Sequence, residues 1–115
     1  MKYMLLFCGT VEGQRAYEAL SQDELGARHA EVGRWFGEHR SKITGGNQLE
    51  PPQTATTVHH ERGDKPMVVD GPFLEGNEVI GGYAVVEVPE LDDALAMARS
   101  WPGGGSVEIR PLMQR

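Results

Sequence analysis

The sequence predicts an α+β fold, in which an antiparallel sheet carries helices on one face. Two observations lead to this prediction: apolar, strand-like runs stand near both ends of the chain, and two segments of helical period separate the strand-like runs. The chain has 115 residues, the size of one ordinary domain. We therefore expect residues 1–115 to fold as a single domain around one core.

The first predicted element is a strand, "KYMLLFC", which ends at Gly9. Its residues are apolar on both faces, as in strands that are covered from two sides. The following segment, "GTVEGQRAYEAL", is polar, and we expect a connection with a helical turn there.

The clearest helix signal lies in "LSQDELGARHAEVGRWFGEHR". Ser21 and Glu24 have the spacing of a capping box, in which each side chain accepts a hydrogen bond from the other residue's backbone amide. The apolar residues recur with helical period and predict a buried stripe: Leu25, Val32, Trp35 and Phe36. His29 falls on this stripe, so its side chain is expected to face inward.

The second half of the chain predicts a hairpin, a strand, a helix and a final strand. "TATTVHHE" and "KPMVVD" flank "RGD" as the two arms of the hairpin. "EVIGGYAVVEV" is a strand with Ala84, Val86 and Val88 on one face. "LDDALAMARSW" is a helix, Gly103–Gly105 is a flexible stop, and "SVEIRPLM" is the last strand. The predicted buried stripe of this helix consists of Leu91, Ala94, Leu95, Ala98 and Trp101.

This element order, β-α-β-(hairpin)-β-α-β, is that of the split βαβ or ferredoxin-like arrangement, with two helices on one face of an antiparallel sheet. The other face would remain bare and apolar, which usually marks an interface. We therefore expect a homodimer in which two sheets pack face to face as a dimeric α+β barrel.

Charge and composition exclude several classes of function. The chain has 11 Lys plus Arg and 17 Asp plus Glu, a net charge of −6, which argues against direct nucleic-acid binding and against docking on anionic membranes. Its single cysteine fits a reducing compartment. The apolar start, "MKYMLLFCGT", is too short for a membrane span and lacks a signal-peptide pattern. We expect a cytoplasmic protein.

Asp70 and His29 are the candidate catalytic residues, and each has a purely structural alternative. The "DGP" of "VVDGPF" favours a turn in which Asp70 only binds backbone amides. An inward histidine such as His29 is more often a hydrogen-bonded core residue than a catalyst. If the two side chains meet, Asp70 would orient His29, which could then act as a general acid or base near neutral pH.

No cofactor or metal site is expected. His59 and His60 are adjacent on a predicted strand and point to opposite faces, so they do not readily share one ion. Cys8 ends the first strand, has no base beside it in the sequence, and is expected to be a small buried residue.

Five motifs, in order, resemble the DGPF branch of the YCII-related proteins: "GGNQLEPPQTATTV", "VVDGPF", "GGY", "LDDALAMA" and "SVEIRP". They extend from about Gly45 to Leu112, and the first strand and helix fit as well. The resemblance implies a ferredoxin-like fold and a dimeric α+β barrel. It also places His29 where YCII-type members have their histidine, and makes Asp70 the Asp of the DGPF motif.

The resemblance leaves two classes of function open. YCII-related proteins are proposed enzymes because a His and an Asp approach each other in a pocket, which implies acid–base chemistry on a small polar ligand. DGPF members are linked with extracytoplasmic-function sigma factors, which implies a non-catalytic ligand-binding or regulatory partner. A pocket in which His29 and Asp70 converge would favour the enzyme, and an exposed apolar patch would favour the binding protein.

Overall fold

The computed structural model describes residues 1–60, 63, 65–73 and 76–114. These residues form an α+β fold with an antiparallel sheet, as predicted, but with three α-helices instead of two. None of the described helices has the length and hydropathy needed to cross a membrane. In chain order the elements are β1 (Lys2–Thr10), α1 (Val11–Glu18), α2 (Gln22–Glu38), β2 (Ile43–Gln48), a short 3-10 helix (Pro52–Thr54), β3 (Thr56–His59), β4 (Met67–Asp70), β5 (Glu78–Glu87), α3 (Leu91–Arg99) and β6 (Ser106–Pro111).

Strand β1 lies inside a four-stranded antiparallel sheet with the order β2-β5-β1-β6. Leu5 of β1 lies opposite Ala84 of β5 and Ile109 of β6. This register places apolar residues of three strands on one face, and a slip by one residue would turn them all to the other face.

The core lies between one face of this sheet and helices α2 and α3. Ala84 and Val86 of β5 and Val88 directly after it are all buried there, as their spacing predicted. They pack with buried residues of the other elements: Tyr3, Leu5, Phe7, Trp35, Ala94 and Met97. The opposite face of the sheet carries half-buried apolar side chains: Met4, Leu6, Tyr83 and Val85.

Trp35 joins the two core helices. Its side chain is 2% exposed, and its indole Nε1 donates to the backbone oxygen of Met97 at 3.1 Å and to Ser100 Oγ at 3.0 Å. The Ser100 hydroxyl in turn donates to the same Met97 oxygen at 2.9 Å. These bonds satisfy the one polar group of a large buried ring.

The predicted capping box at the start of α2 is confirmed. Ser21 Oγ accepts from the Glu24 amide at 3.2 Å, and Glu24 Oε1 accepts from the Ser21 amide at 3.0 Å. The hydrogen bond from the Ser21 backbone holds the pKa of the Glu24 carboxyl below its ordinary value. Both contacts are local, which is why the sequence spacing alone predicted them.

The segment that was expected to be a polar connection with a helical turn is the complete helix α1. Thr10 is its N-cap, and the Thr10 hydroxyl accepts from the Gly13 amide at 3.0 Å. The sequence did not predict this helix because glycine at position 13 disfavours a helix and the polar composition gives no clear helical period. The cap lets α1 begin directly at the end of β1.

The buried stripe of α3 differs from the predicted one. Leu91 was expected to be buried but is 47% exposed, whereas Met97 is buried beside Ala94. Leu91 is the first residue of a short helix, so it projects past the end of the core. Ala94 and Met97 are three residues apart and lie on the face turned to Trp35.

Strands β3 and β4 pair with each other in a separate two-stranded antiparallel sheet, as predicted for a hairpin. The "RGD" turn between its arms lies mostly outside the described residues. Gly71 closes the base of the hairpin, because its amide donates to the Ala55 oxygen at 2.7 Å. Large apolar side chains of the hairpin and the residues after it are exposed, including Val68 at 65% and Phe73 at 72%.

We predict that Ser21→Ala lowers the free energy of unfolding by about 1 kcal/mol, because the substitution removes the N-cap acceptor of α2. Urea denaturation measures the change, and Ser41→Ala, in the turn after α2, is the matched control. Equal midpoints for the two variants would contradict a stabilising role for the cap.

Glu24→Gln tests the charged half of the capping box. A carboxyl whose pKa is lowered in the folded state stabilises the protein above its unfolded pKa and loses this effect as the pH falls through the folded value. We therefore expect Glu24→Gln to be less stable than the parent at neutral pH, with the difference shrinking in acid. A stability difference that does not change with pH would contradict the assignment.

Candidate functional site

A cavity of about 900 Å³ opens between α1, α2 and the end of the sheet where β1 stops and β5 begins. Its walls come from several parts of the chain: the end of β1, α1, one side of α2, the end of β2 and the segment after it, the first half of β5, and the loop after α3. This volume is within the range of small-molecule sites. The cavity is therefore the first place to look for chemistry.

His29 and Tyr17 meet at this cavity. The hydroxyl oxygen of Tyr17 on α1 lies 2.7 Å from His29 Nε2 on α2. The side-chain amide of Gln48, at the end of β2, donates to the same Tyr17 oxygen at 3.3 Å. All three residues line the cavity, so a titratable group, a phenol and an amide converge on one position.

His29 does not have the predicted inward orientation. The residue is exposed, whereas Leu25 and Val32 are half-buried and Trp35 is fully buried. Its ring turns toward α1, where Tyr17 binds it. Helix α1, which the sequence did not predict as a full element, supplies this partner.

The cavity wall beside this polar group consists of aromatic rings. Phe7 and Trp101 stack with centroids 3.9 Å apart, and Phe36 meets the Phe7 ring edge-on at 6.5 Å. Trp35 lies behind them, 5.9 Å from Phe7 and 5.1 Å from Trp101. The same cluster therefore contributes to the core and to the cavity surface.

The loop Gly103–Gly105 was expected to be a flexible stop, but it packs tightly against this cluster. A Cβ at Gly103 would lie 2.7 Å from the Trp101 indole. A Cβ at Gly105 would clash with the backbone oxygen of Cys8, and Gly105 also has a φ of 68°. Gly103 is therefore favoured by the close contact and Gly105 by both contact and backbone conformation, and the loop forms part of the cavity wall.

Asp70 lies at the end of β4, where it pairs with Thr56 across the hairpin. It is exposed, and it is not among the described residues that line the cavity. No contact between Asp70 and His29 occurs within the described part of the chain, so their catalytic pairing stays a prediction. Pro72 of the same motif lines a neighbouring pocket of about 590 Å³ on the other side of α1, together with Gln14 and Glu18.

The other histidines stand apart from the cavity. His39 Nδ1 lies 2.8 Å from the Trp35 oxygen at the end of α2, and the ring of His59 lies 6.4 Å from Phe73 beside the hairpin. Among the residues that the structure describes, no three His, Cys, Asp or Glu side chains group as metal ligands do.

Cys8 reaches the cavity wall but is not poised as a nucleophile. Burial raises the pKa of its thiol above the ordinary value, and the charges of Glu108 and Glu78 raise it further. The thiolate is the nucleophilic form, so a raised pKa leaves the less reactive thiol at neutral pH. The residue is half-buried, where the sequence predicted a buried one, and its Sγ atom lies 3.5 Å from the Leu6 oxygen.

Sequence reasoning identified His29 and missed Tyr17 and Gln48. Tyr17 lay in a segment read as a connection, and Gln48 lay in a Gly-rich stretch to which no strand bounds were assigned. The contact between Tyr17 and His29 depends on how two helices cross, which periodicity within one helix does not report. The Thr10 N-cap could have indicated in the sequence that α1 is a helix, and hence that Tyr17 lies on it.

Comparison with solved structures finds a protein of similar fold. The chain matches 5-chloro-2-hydroxyhydroquinone dehydrochlorinase from Burkholderia phenoliruptrix AC1100, in complex with 2,5-dihydroxybenzoquinone, with a TM-score of 0.59 and 11% sequence identity. The match covers 100% of this chain and 96% of that chain. At this identity the likeness shows a shared fold.

Comparison of sequences gives the family. An uncharacterised protein of Rhizobium meliloti (strain 1021) is 39% identical over 69 residues, which cover 56% of this chain and 55% of that protein, about half the length of each. The profile of the YCII-related domain matches residues 1–114. The chain belongs to the YCII-related family.

Proposed function

We propose that the protein is a small-molecule enzyme in which His29 and Tyr17 transfer a proton to or from a bound ligand. The observation that carries this proposal is the 2.7 Å contact between Tyr17 Oη and His29 Nε2 at the cavity surface. Histidine gains and loses a proton near neutral pH, so the pair can act as acid and as base under ordinary conditions.

The contact allows a proton to pass between Tyr17 and His29 in either direction, because donor and acceptor depend on the tautomer of His29. With a bound carbonyl compound, the Tyr17 hydroxyl donates its proton to the carbonyl oxygen while protonated His29 returns a proton to Tyr17. The adjacent C–H bond loses its proton to water, and the carbonyl becomes an enol. Return of a proton to the carbon, from either side, completes proton exchange or isomerisation.

The structural counterpart supports catalysis only in general terms. That protein is an enzyme, so this fold accommodates catalysis. The proposed reaction rests instead on the cavity of this chain.

We further infer a ferredoxin-like arrangement, which the sheet order β2-β5-β1-β6 supports, and membership of the DGPF branch, which the motif from Asp70 to Phe73 supports.

Asp70 remains the second proposed catalytic residue. Pro72, two residues after it, lines the pocket that shares Gln14, Glu18 and Val79 with the main cavity. A carboxylate there would act on His29 through its charge instead of through a direct hydrogen bond. Asp70→Asn preserves the shape and removes this charge.

We predict that the protein accelerates deuterium uptake from heavy water into enolisable ketones, measured by proton NMR with a panel of open-chain and cyclic compounds. His29→Gln should lower the rate about a hundredfold, because it removes the acid–base group. Tyr17→Phe should also lower the rate.

The matched control is His60→Gln, because His60 is exposed and does not line the cavity. A rate equal to that of buffer for every ketone, or equal rates for His29→Gln and His60→Gln, would contradict the proposed function. A lower rate in Asp70→Asn than in the parent is expected if the carboxylate acts on His29, and an equal rate would remove Asp70 from the site.

We also propose a homodimer that forms through the free face of the main sheet. Met4, Leu6, Tyr83 and Val85 stand together on that face and are only half-buried in one chain. Pairing two such faces would remove this apolar surface from water, which stabilises association.

A second candidate function is a regulatory accessory protein that binds an extracytoplasmic-function sigma factor. The observation that favours it is the exposed apolar surface of the hairpin region, formed by Val58, Met67, Val68 and Phe73. A two-stranded hairpin is marginally stable alone, so a partner that covers it would stabilise it.

Sedimentation of the parent should give about twice 12.6 kDa, and Val85→Lys, at the free sheet face, should sediment as a monomer. Val68→Lys, on the hairpin, should remain a dimer if the hairpin serves a different partner. A monomeric parent would contradict the dimer. A monomeric Val68→Lys would show that the hairpin forms part of the dimer interface, which would contradict its use for binding a sigma factor.

A further inference from the structure

Gln48 is the third side chain at the Tyr17–His29 contact. Its Nε2 donates to the Tyr17 oxygen at 3.3 Å, and His29 Nε2 lies 2.7 Å from the same oxygen. Tyr17 belongs to α1, His29 to α2 and Gln48 to the end of β2, so three separate elements meet at one oxygen atom.

The backbone of β2 holds Gln48 in this position. Gln48 lies opposite Gly82 of β5, and the next amide, that of Leu49, donates to the Gly81 oxygen at 2.8 Å. A Cβ at position 82 would lie 3.0 Å from the Asn47 oxygen and 3.4 Å from Gln48 Cα. The two strands therefore approach each other at a distance that favours glycine at position 82, which fixes the backbone from which the Gln48 side chain extends.

The Gln48 amide limits the direction of the Tyr17 proton. A phenolic oxygen carries one proton and also accepts hydrogen bonds, whereas the NH₂ group of a glutamine only donates. The Tyr17 proton therefore does not point toward Gln48. Two directions remain for this proton: toward His29 Nε2, or toward a ligand in the cavity that all three side chains line.

With this donor in place, the protonation of His29 decides what Tyr17 offers to a ligand. When His29 is neutral and carries its proton on Nδ1, Tyr17 donates to Nε2 and presents a lone pair to the ligand. When both ring nitrogens carry protons, Nε2 donates to Tyr17, and the Tyr17 proton turns to the ligand. The hydrogen bond from Gln48 also strengthens Tyr17 as a donor, because hydrogen bonds in a chain polarise one another.

The same amide stabilises the Tyr17 oxygen during proton transfer. As the Tyr17 O–H bond breaks and an O–H bond to the ligand forms, the electron pair of the broken bond stays on the Tyr17 oxygen until His29 Nε2 supplies a proton. A positioned N–H donor lowers the energy of an oxygen on which negative charge develops. The two carboxylates and one guanidinium that line the cavity, Glu18, Glu50 and Arg28, sum to −1 and do not supply this stabilisation.

We propose that Gln48 is a positioning residue of this site, whose side-chain amide directs the Tyr17 proton and stabilises the Tyr17 oxygen when that proton leaves. The catalytic meaning of this role rests on the proposed function. The direction of the Tyr17 proton is a property of the protein alone, so it can be measured without any reaction.

Gln48→Glu tests the direction of the proton, because it replaces the NH₂ donor with a carboxylate oxygen that only accepts. Nitrogen-15 NMR spectra of the full chain report which ring nitrogen of His29 carries a proton, at about pH 8.5, where histidine is ordinarily neutral. In the parent, Nδ1 should be protonated and Nε2 should not. In Gln48→Glu the Tyr17 hydroxyl should turn to the carboxylate, and the His29 proton should move from Nδ1 to Nε2.

The matched control is Gln53→Glu, which adds the same charge to the segment after β2. Gln53 donates to Glu18 at 3.4 Å and does not line the main cavity, so this variant should keep the parent pattern. A protonated Nε2 in the parent, or the same pattern in the parent and in Gln48→Glu, would overturn the proposal.

Gln48→Met tests the contribution to rate, since methionine has nearly the same length and makes no such hydrogen bond. Its kcat for ketone proton exchange should fall about tenfold, the effect of losing one hydrogen bond to an oxygen that develops charge. KM should stay unchanged, because Gln48 acts through Tyr17. Equal values of kcat for Gln48→Met and Gln53→Met would contradict the positioning role.

The two arms separate this role from the proposed function. A parent that exchanges no ketone protons would contradict the enzyme, while the proton pattern of His29 would still decide whether Gln48 directs the Tyr17 proton. Exchange of ketone protons by the parent, with the parent pattern kept in Gln48→Glu, would support the enzyme and overturn the role of Gln48.

Discussion

The hydrogen bond from the Trp35 indole to the Met97 oxygen is the contact on which the rest of the structure depends. It joins residues 62 positions apart, at 3.1 Å, inside the core. Ser100 at the end of α3 accepts from the same N–H, so two hydrogen bonds join α2 to α3, and the Ser100 hydroxyl donates to the same Met97 oxygen. Losing both acceptors would leave the buried indole N–H unpaired, which costs more than either bond contributes.

The aromatic cluster around Trp35 links stability to the site. Phe7 and Trp101 pack on Trp35 from one side and line the cavity from the other. Because α2 is fixed through Trp35, His29 is held at one distance from Tyr17 on α1. A cavity wall made of core residues loses little conformational freedom when a ligand binds, which favours a preformed site.

Features that depend on spacing within a few residues could be predicted from the sequence, whereas contacts between separate helices and strands could not. The Ser21–Glu24 capping box, the buried face of β5 and the hairpin each depend on spacing within a few residues. The Tyr17–His29 contact depends on two helices meeting, and α1 was hidden by Gly13. Gly105 looked like a flexible residue because its close approach to Cys8 is visible only in three dimensions. The sequence predicted a role for His29, which lines the cavity, but the side chain that it contacts there is Tyr17.

Hydrogen exchange of the Trp35 indole N–H tests the central claim most directly. The chain has two tryptophans, so its two indole signals can be assigned with one substitution. If Trp35 holds α2 and α3 together, its N–H exchanges only when the whole domain unfolds, at the rate of the slowest amides of β1. Exchange through a much smaller opening, at a rate typical of helix ends, would show that the helices separate without unfolding and would contradict the account.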